Sequence, residues 1–110
     1  MKKVFYIPIL FTLIFSNIYA KDKVYVIKKL EFQEVNRWYS SYIKNGLEEA
    51  KKNDASLIIL EIDTPGGLLS SALEIKNALI ESDIPVVAYI NKNALSAGAL
   101  ISLSCSEIYM

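Results

Sequence analysis

The 110-residue sequence contains no histidine, and this absence removes two common kinds of site. Histidine-ligated metal centres and Ser-His-Asp triads both require an imidazole, so neither can form within this chain. The prediction for the chain is that it has no metal site and uses no cofactor.

The sequence also has only one cysteine and no net charge. The single cysteine, Cys105, cannot form an internal disulfide, and we expect it to be a small buried apolar residue. Twelve basic and twelve acidic side chains leave no net charge, which gives no reason to expect nucleic acid as a partner. A hydrophobic content of 53% excludes a disordered chain, and the length permits one domain.

The first twenty residues have the composition of a targeting segment. "MKK" supplies a positive start, "VFYIPILFTLIFSNI" an apolar core, and "YA" a small residue before "KDK". This pattern predicts a secretory signal peptide over 1–20 with cleavage after Ala20, an uncleaved anchor being the alternative. In both cases residues 21–110 would form an exported domain on the extracytoplasmic side of the membrane.

Short apolar runs alternate with amphipathic stretches through the rest of the chain. The predicted strands are 24–27, 56–63, 85–90 and a last one from 107, and the predicted helices are 36–52, 68–82 and 96–105. This alternation predicts an α/β domain with a mainly parallel sheet and right-handed crossovers. The second and third strands are expected to be buried on both faces, and the uncharged third helix on all sides. Because the chain stops inside an apolar strand, we expect Met110 to be a truncation point.

Two unusual loops follow predicted strands, where ligands bind in open α/β sheets. In "DTPGG", Gly66 and Gly67 allow a ligand to approach the backbone N–H groups, which can stabilise a developing negative charge. In "LSAG", Ser96 has small neighbours in Ala97 and Gly98, as an exposed nucleophile requires. The alternative is structural, with Ser96 capping a helix and the glycines serving a turn.

"DTPGGLL" followed by "SAGALISLSC" resembles the Clp-protease-like (ClpP/crotonase) superfamily, and most closely the NfeD-type membrane-bound serine proteases. The resemblance covers about residues 24–110. It implies that Ser96 is the nucleophile and that the N–H groups of Gly67 and Ala97 form the oxyanion hole, with Gly66 beside them. It also implies a lysine general base a few dozen residues after the serine. That lysine would lie beyond residue 110, so the chain would be an N-terminal part of the protease domain, inactive by itself.

Two charged residues near the loops are assigned lesser roles. Lys92 is an unfavourable substitute base because a solvated lysine in a polar loop is not activated by burial. Asp63 is expected to organise the Pro-Gly-Gly turn through its carboxylate.

The resemblance further implies the partners. They are a peptide or protein substrate, by family a stomatin-like membrane protein with an apolar cleavage site, and a membrane reached through later segments. Homo-oligomers also occur among such proteases. Three alternatives stay open: a signal peptide peptidase-like serine protease, although those tend to carry "SPGG" and "SGG"; a crotonase-type enzyme acting on acyl-CoA, disfavoured by an exported location; and a catalytically silent peptide-binding module.

Overall fold

Four strands and three helices alternate along residues 22–110, the part of the chain that this computed structural model describes. The elements are β1 Val24–Ile27, α1 Arg37–Lys52, β2 Leu57–Thr64, α2 Leu69–Glu81, β3 Val86–Ala94, α3 Ala97–Leu103 and β4 Glu107–Tyr109. The predicted α/β alternation is confirmed. The predicted signal peptide, 1–20, lies outside the described residues. No helix within 22–110 combines the length and the apolarity needed to cross a bilayer.

The strands form one sheet in the order β1-β2-β3-β4, and every neighbouring pair is parallel. Successive right-handed crossovers in one direction bring α1, α2 and α3 to the same face of the sheet. The side chains of Ile58, Leu60 and Ile62 alternate along β2 towards these helices and are at most 1% exposed. The predicted parallel sheet is therefore confirmed, with its core between the sheet and the helices.

The prediction that β2 and β3 are buried on both faces is wrong for the described residues. Leu57 and Ile59 of β2 and Val87 of β3 are half-buried, and Tyr89 is 42% exposed. These side chains line a shallow apolar groove on the face of the sheet opposite the helices. The reason is topological, because crossovers of one hand in one direction cover one face only.

Helix α1 begins where its capping residue predicts. The side chain of Asn36 accepts a hydrogen bond from the N–H of Tyr39 at 2.9 Å, which satisfies one free donor of the first turn. Tyr39 and Ile43 are buried, as the apolar periodicity predicts. The same apolar spacing predicts that Trp38 is buried, but its side chain is 58% exposed and stacks on Tyr42 with ring centroids 5.9 Å apart.

The third helix is shorter and less buried than predicted. It spans Ala97–Leu103, with Ala97, Gly98, Ile101 and Ser102 buried, whereas Leu103 is 74% exposed. One face of α3 packs on the domain and the other does not. The prediction that this uncharged helix is buried on all sides is therefore wrong for the described residues. Cys105 follows the helix and is only half-buried, but burial still raises the pKa of its thiol to about 11.

Replacing Ile75 by alanine should reveal how much the α2–sheet contact stabilises the domain. Ile75 is fully buried, so Ile75→Ala is expected to lower the free energy of unfolding by about 2–5 kcal/mol through lost burial and the cavity left behind. The control is Ile80→Ala on the same helix, where the side chain is 62% exposed and the expected change is below about 0.5 kcal/mol. Urea denaturation of both variants measures the difference, and equal losses would contradict the assigned helix face.

Candidate active site

Strand β3 runs four residues beyond its predicted end, through a bulge. Ile62 pairs with Ile90 and Thr64 pairs with Ala94, so β3 advances four residues where β2 advances two. Lys92 lies inside this bulge with a φ of 100°, a value uncommon outside glycine. The polar loop expected around Lys92 is therefore part of the strand, and the extra residues carry the chain towards Ser96.

Polar side chains of the bulge bind carboxylates of the neighbouring strand. The amide of Asn91 donates to Glu61 Oε1 at 2.8 Å, and the amide of Asn93 donates to Asp63 Oδ1 at 3.3 Å. Because residues two apart in a strand lie on one face, the pairs Glu61/Asp63 and Asn91/Asn93 face each other. These bonds explain how a segment of polar residues continues a strand.

The carboxylate of Asp63 is almost fully buried, and a cation binds it. Its side chain is 4% exposed, and Lys29 Nζ lies 3.2 Å from Oδ2. Burial by itself raises the pKa of Asp63, but the hydrogen bonds from Lys29 and Asn93 and the charge of Lys29 hold the pKa below its usual value of 3.8. The carboxylate is therefore ionised and links the segment after β1 to the bulge of β3.

The "DTPGG" turn is organised by Thr64 and not, as predicted, by Asp63. The N–H of Gly66 donates to Thr64 Oγ1 at 3.1 Å, which closes a short side-chain turn. The carbonyl oxygen of Thr64 accepts the N–H of Leu95 at 3.1 Å. Thr64 thus binds both loops, whereas the Asp63 carboxylate, which was expected to organise the Pro-Gly-Gly turn, binds Lys29 and Asn93 instead.

The two glycines are positioned by Val35 from the segment before α1. The N–H of Val35 donates to the Gly66 carbonyl at 2.8 Å, and its carbonyl accepts the N–H of Leu68 at 2.7 Å. A Cβ atom on Gly67 would lie only 2.2 Å from the carbonyl oxygen of Val35. Gly67 is therefore required by close backbone contact as well as by its φ of 153°.

Ser96 is exposed and adopts a strained backbone conformation, with φ 52° and ψ −116°. Such a conformation costs about 1–3 kcal/mol and persists only where its surroundings hold it. Within the described residues its hydroxyl makes no capping hydrogen bond to α3. The simple helix-cap interpretation therefore does not fit this geometry.

The loops meet at the predicted site residues. A Cβ atom built on Gly66 would lie 2.8 Å from Ser96 Cβ and 3.4 Å from the nitrogen of Ala97. Gly66, Ser96 and Ala97 are thus neighbours, and Gly67 follows directly. Among residues 22–110, the N–H groups of Gly67 and Ala97 have no hydrogen-bond acceptor. An exposed hydroxyl beside two N–H donors supplies a nucleophile and an oxyanion site, two of the parts that acyl transfer needs in addition to a base.

Sequence reasoning missed the residues that hold this arrangement, namely Lys29, Val35, Thr64 and Asn93. One signal was available. Two carboxylates alternate at 61 and 63 near the end of β2, and two asparagines alternate at 91 and 93 before Ser96. Alternation on neighbouring parallel strands indicates facing hydrogen-bonding pairs.

The described residues have a ClpP-like fold. Its structure superimposes on ClpP1 from Listeria monocytogenes with a TM-score of 0.66 over 82% of this chain and 50% of that one, at 16% identity. A likeness at that identity concerns the fold alone. Within this fold class, the family model described as "NfeD1b, N-terminal domain" matches residues 23–110. The chain belongs to that family.

Individual relatives agree with this assignment. The chain is 47% identical over 90 residues to "Membrane protein NfeD1b" of Bacillus subtilis, covering 82% of this chain and 20% of the relative. It is 31% identical over 113 residues to "Membrane-bound protease PH1510" of Pyrococcus horikoshii, covering 100% of this chain and 25% of the relative. The chain therefore spans about a fifth to a quarter of these curated relatives.

A solved structure includes a bound peptide. This chain matches the "1510-N membrane-bound stomatin-specific protease", a lysine-to-alanine mutant in complex with a substrate peptide, with a TM-score of 0.72 and 30% identity. The match covers 81% of this chain and 41% of that one.

Replacing Asp63 by asparagine should flatten the loss of stability in acid. Because the pKa of Asp63 is lower in the folded chain than the ordinary 3.8, its stabilisation is present above that value and is lost as the pH falls through the folded value. The thermal midpoint of the wild type should therefore fall more steeply below 3.8 than that of Asp63→Asn. The exposed Asp83 provides the control, Asp83→Asn, which should keep the wild-type slope. Parallel curves for all three proteins would contradict the role of the buried ion pair.

Proposed function

We propose that the chain is the N-terminal part of a membrane-associated serine endopeptidase domain in which Ser96 is the nucleophile. The observation that carries the proposal is the strained, exposed Ser96 held directly against Gly66, where the two loops meet. Strain of this kind at a non-glycine residue is characteristic of functional sites. The relatives named as proteases support the reaction class.

In the proposed reaction, Ser96 Oγ attacks the carbonyl carbon of a peptide bond while its proton passes to a base. The carbonyl oxygen becomes an oxyanion, stabilised by the N–H groups of Gly67 and Ala97, with Gly66 leaving space beside them. Collapse of this intermediate breaks the C–N bond, and the leaving amine takes the proton. The serine ester that remains is then hydrolysed by water.

The proposed base is a lysine located after residue 110. A lysine desolvated by burial can accept a proton from serine near neutral pH. The peptide-bound relative was solved as a lysine-to-alanine mutant, which agrees with an important lysine in that protein. Lys92 is the lysine nearest to Ser96 along the chain, but it is exposed. The 110-residue chain alone is therefore expected to be inactive.

The substrate and location follow from the same relationship. We propose that the substrate is an apolar segment of a stomatin-like membrane protein, since a relative is named as stomatin-specific. Names of other relatives as membrane proteins support membrane association. The segment 1–20 would export the domain to the extracytoplasmic side, and later segments would anchor it. Assembly as a homo-oligomer is part of the same proposal.

The test is Ser96→Ala in the complete reading frame that contains this chain, purified in detergent. With fluorogenic peptides that carry apolar residues around the scissile bond, kcat should fall by about 10³-fold or more because the attacking oxygen is gone. Peptide binding, measured by fluorescence anisotropy, should be retained. The matched control is Ser104→Ala at the end of α3, where the hydroxyl bonds the Leu100 carbonyl, and this variant should stay active.

Three outcomes would decide against parts of the proposal. Equal cleavage by the wild type and Ser96→Ala would remove Ser96 as nucleophile. Peptide binding without any cleavage by the wild type would favour a silent binding module. Ser96-dependent cleavage by the isolated 110-residue chain would remove the lysine beyond residue 110 as the base.

A further inference from the structure

Asn93 occupies the last polar position before the proposed nucleophile. Only Ala94 and Leu95 separate it from Ser96, and its amide donates to Asp63 Oδ1 at 3.3 Å. Leu95 is itself bonded through its N–H to the Thr64 carbonyl. The chain that leads into Ser96 is therefore attached to β2 at two successive points.

The partner of Asn93 cannot easily move. The Asp63 side chain is 4% exposed, and Lys29 Nζ binds its second oxygen at 3.2 Å. A buried carboxylate that loses a hydrogen bond is left poorly solvated, so the bond from Asn93 is strongly favoured over its absence. Asn93 is thereby bonded to a buried, ion-paired residue of β2.

The same part of β2 also fixes the glycine loop. Thr64 follows Asp63 directly and accepts the N–H of Gly66 through its hydroxyl at 3.1 Å. A displacement of Asp63 or Asn93 would therefore change the distance between the two loops, and not only the position of one.

We propose that Asn93, bound to the buried Asp63, is a positioning residue that sets the placement of Ser96 relative to the N–H groups of Gly67 and Ala97. The inference rests on the proposed function where it concerns catalysis. Nearby Asn91 makes a similar bond, to Glu61, but the bulge at Lys92 lies between it and Ser96. A disturbance at Asn91 can be absorbed in that bulge, whereas one at Asn93 cannot.

The experiment uses Asn93→Asp, which places a second carboxylate against Asp63 with only Lys29 to neutralise the pair. In the complete reading frame, kcat should fall by about 10²-fold, as for a nucleophile displaced by roughly 1 Å, with KM little changed. Adding Asp63→Asn exchanges the amide and the carboxylate while keeping the total charge, and should restore most of the loss. Asn91→Asp is the matched control and should lose less than about fivefold.

Hydrogen exchange of the same proteins provides a measurement independent of activity. In Asn93→Asp, the amides of Leu95 and Gly66, both bonded to Thr64, should exchange about tenfold faster. The amide of Ile58, bonded to the Pro85 carbonyl in the sheet, should be unchanged. In the double variant, which combines Asn93→Asp with Asp63→Asn, the amides of Leu95 and Gly66 should again exchange at close to wild-type rates. If Asn93→Asp does not fold, Asn93→Ala removes the donor without adding charge and should shift the same amides.

The outcomes separate this inference from the proposed function. If the wild type shows no Ser96-dependent cleavage, the proposed function fails, and the exchange rates alone decide the role of Asn93. Wild-type exchange at Leu95 and Gly66 in the Asn93 variants would overturn the inference. So would an active protein in which kcat is unaffected, or a double variant that does not recover.

Discussion

The candidate site depends on one residue, Thr64, which binds both of its loops. Its hydroxyl accepts the N–H of Gly66, and its carbonyl accepts the N–H of Leu95, each at 3.1 Å. Parallel strands necessarily bring their carboxyl ends to one edge of the sheet, but this places the loops only approximately. Thr64 converts that approximate neighbourhood into contact between Gly66 and Ser96. Thr64 also restricts the first turn of α3. A Cβ atom built on Gly98 would lie only 2.4 Å from the methyl group of Thr64, so a glycine lets the helix pack this closely.

Around this contact the chain accepts unfavourable local conformations that the surrounding bonds maintain. Ser96 and Lys92 both have positive φ values, and neither is glycine. A positive φ at a residue other than glycine costs free energy. The conformation persists because relaxing it would break hydrogen bonds elsewhere in the structure. The buried, ionised carboxylate of Asp63 opposes such relaxation, since it needs the hydrogen bonds from both Lys29 and Asn93. The bonds that hold these conformations thus belong to a polar cluster next to the site.

The sequence predicted the order of elements and the loops that form the site, because apolar periodicity and glycine-rich turns depend on neighbours along the chain. Strand β1 was predicted at its observed bounds, and the meeting of Gly66 with Ser96 followed from parallel strands. The exposure of Trp38 and of the second sheet face was missed because it depends on which surface the helices cover. The roles of Thr64 and Asn93 in joining the two loops were missed because their partners there, Leu95 and Asp63, lie about thirty residues away along the chain.

The bulge in β3 also restricts how the length of this segment can change during evolution. Between shared pairing points β3 has two residues more than β2, an even number, so the alternation of side chains remains in phase across it. Deleting one residue between Ile90 and Ala94 would reverse that phase and direct Ser96 away from Gly66. Removing two would preserve the phase but would straighten the strand and draw the serine back along β2. Insertions and deletions should therefore be rare in this segment, while substitutions at its exposed positions remain acceptable.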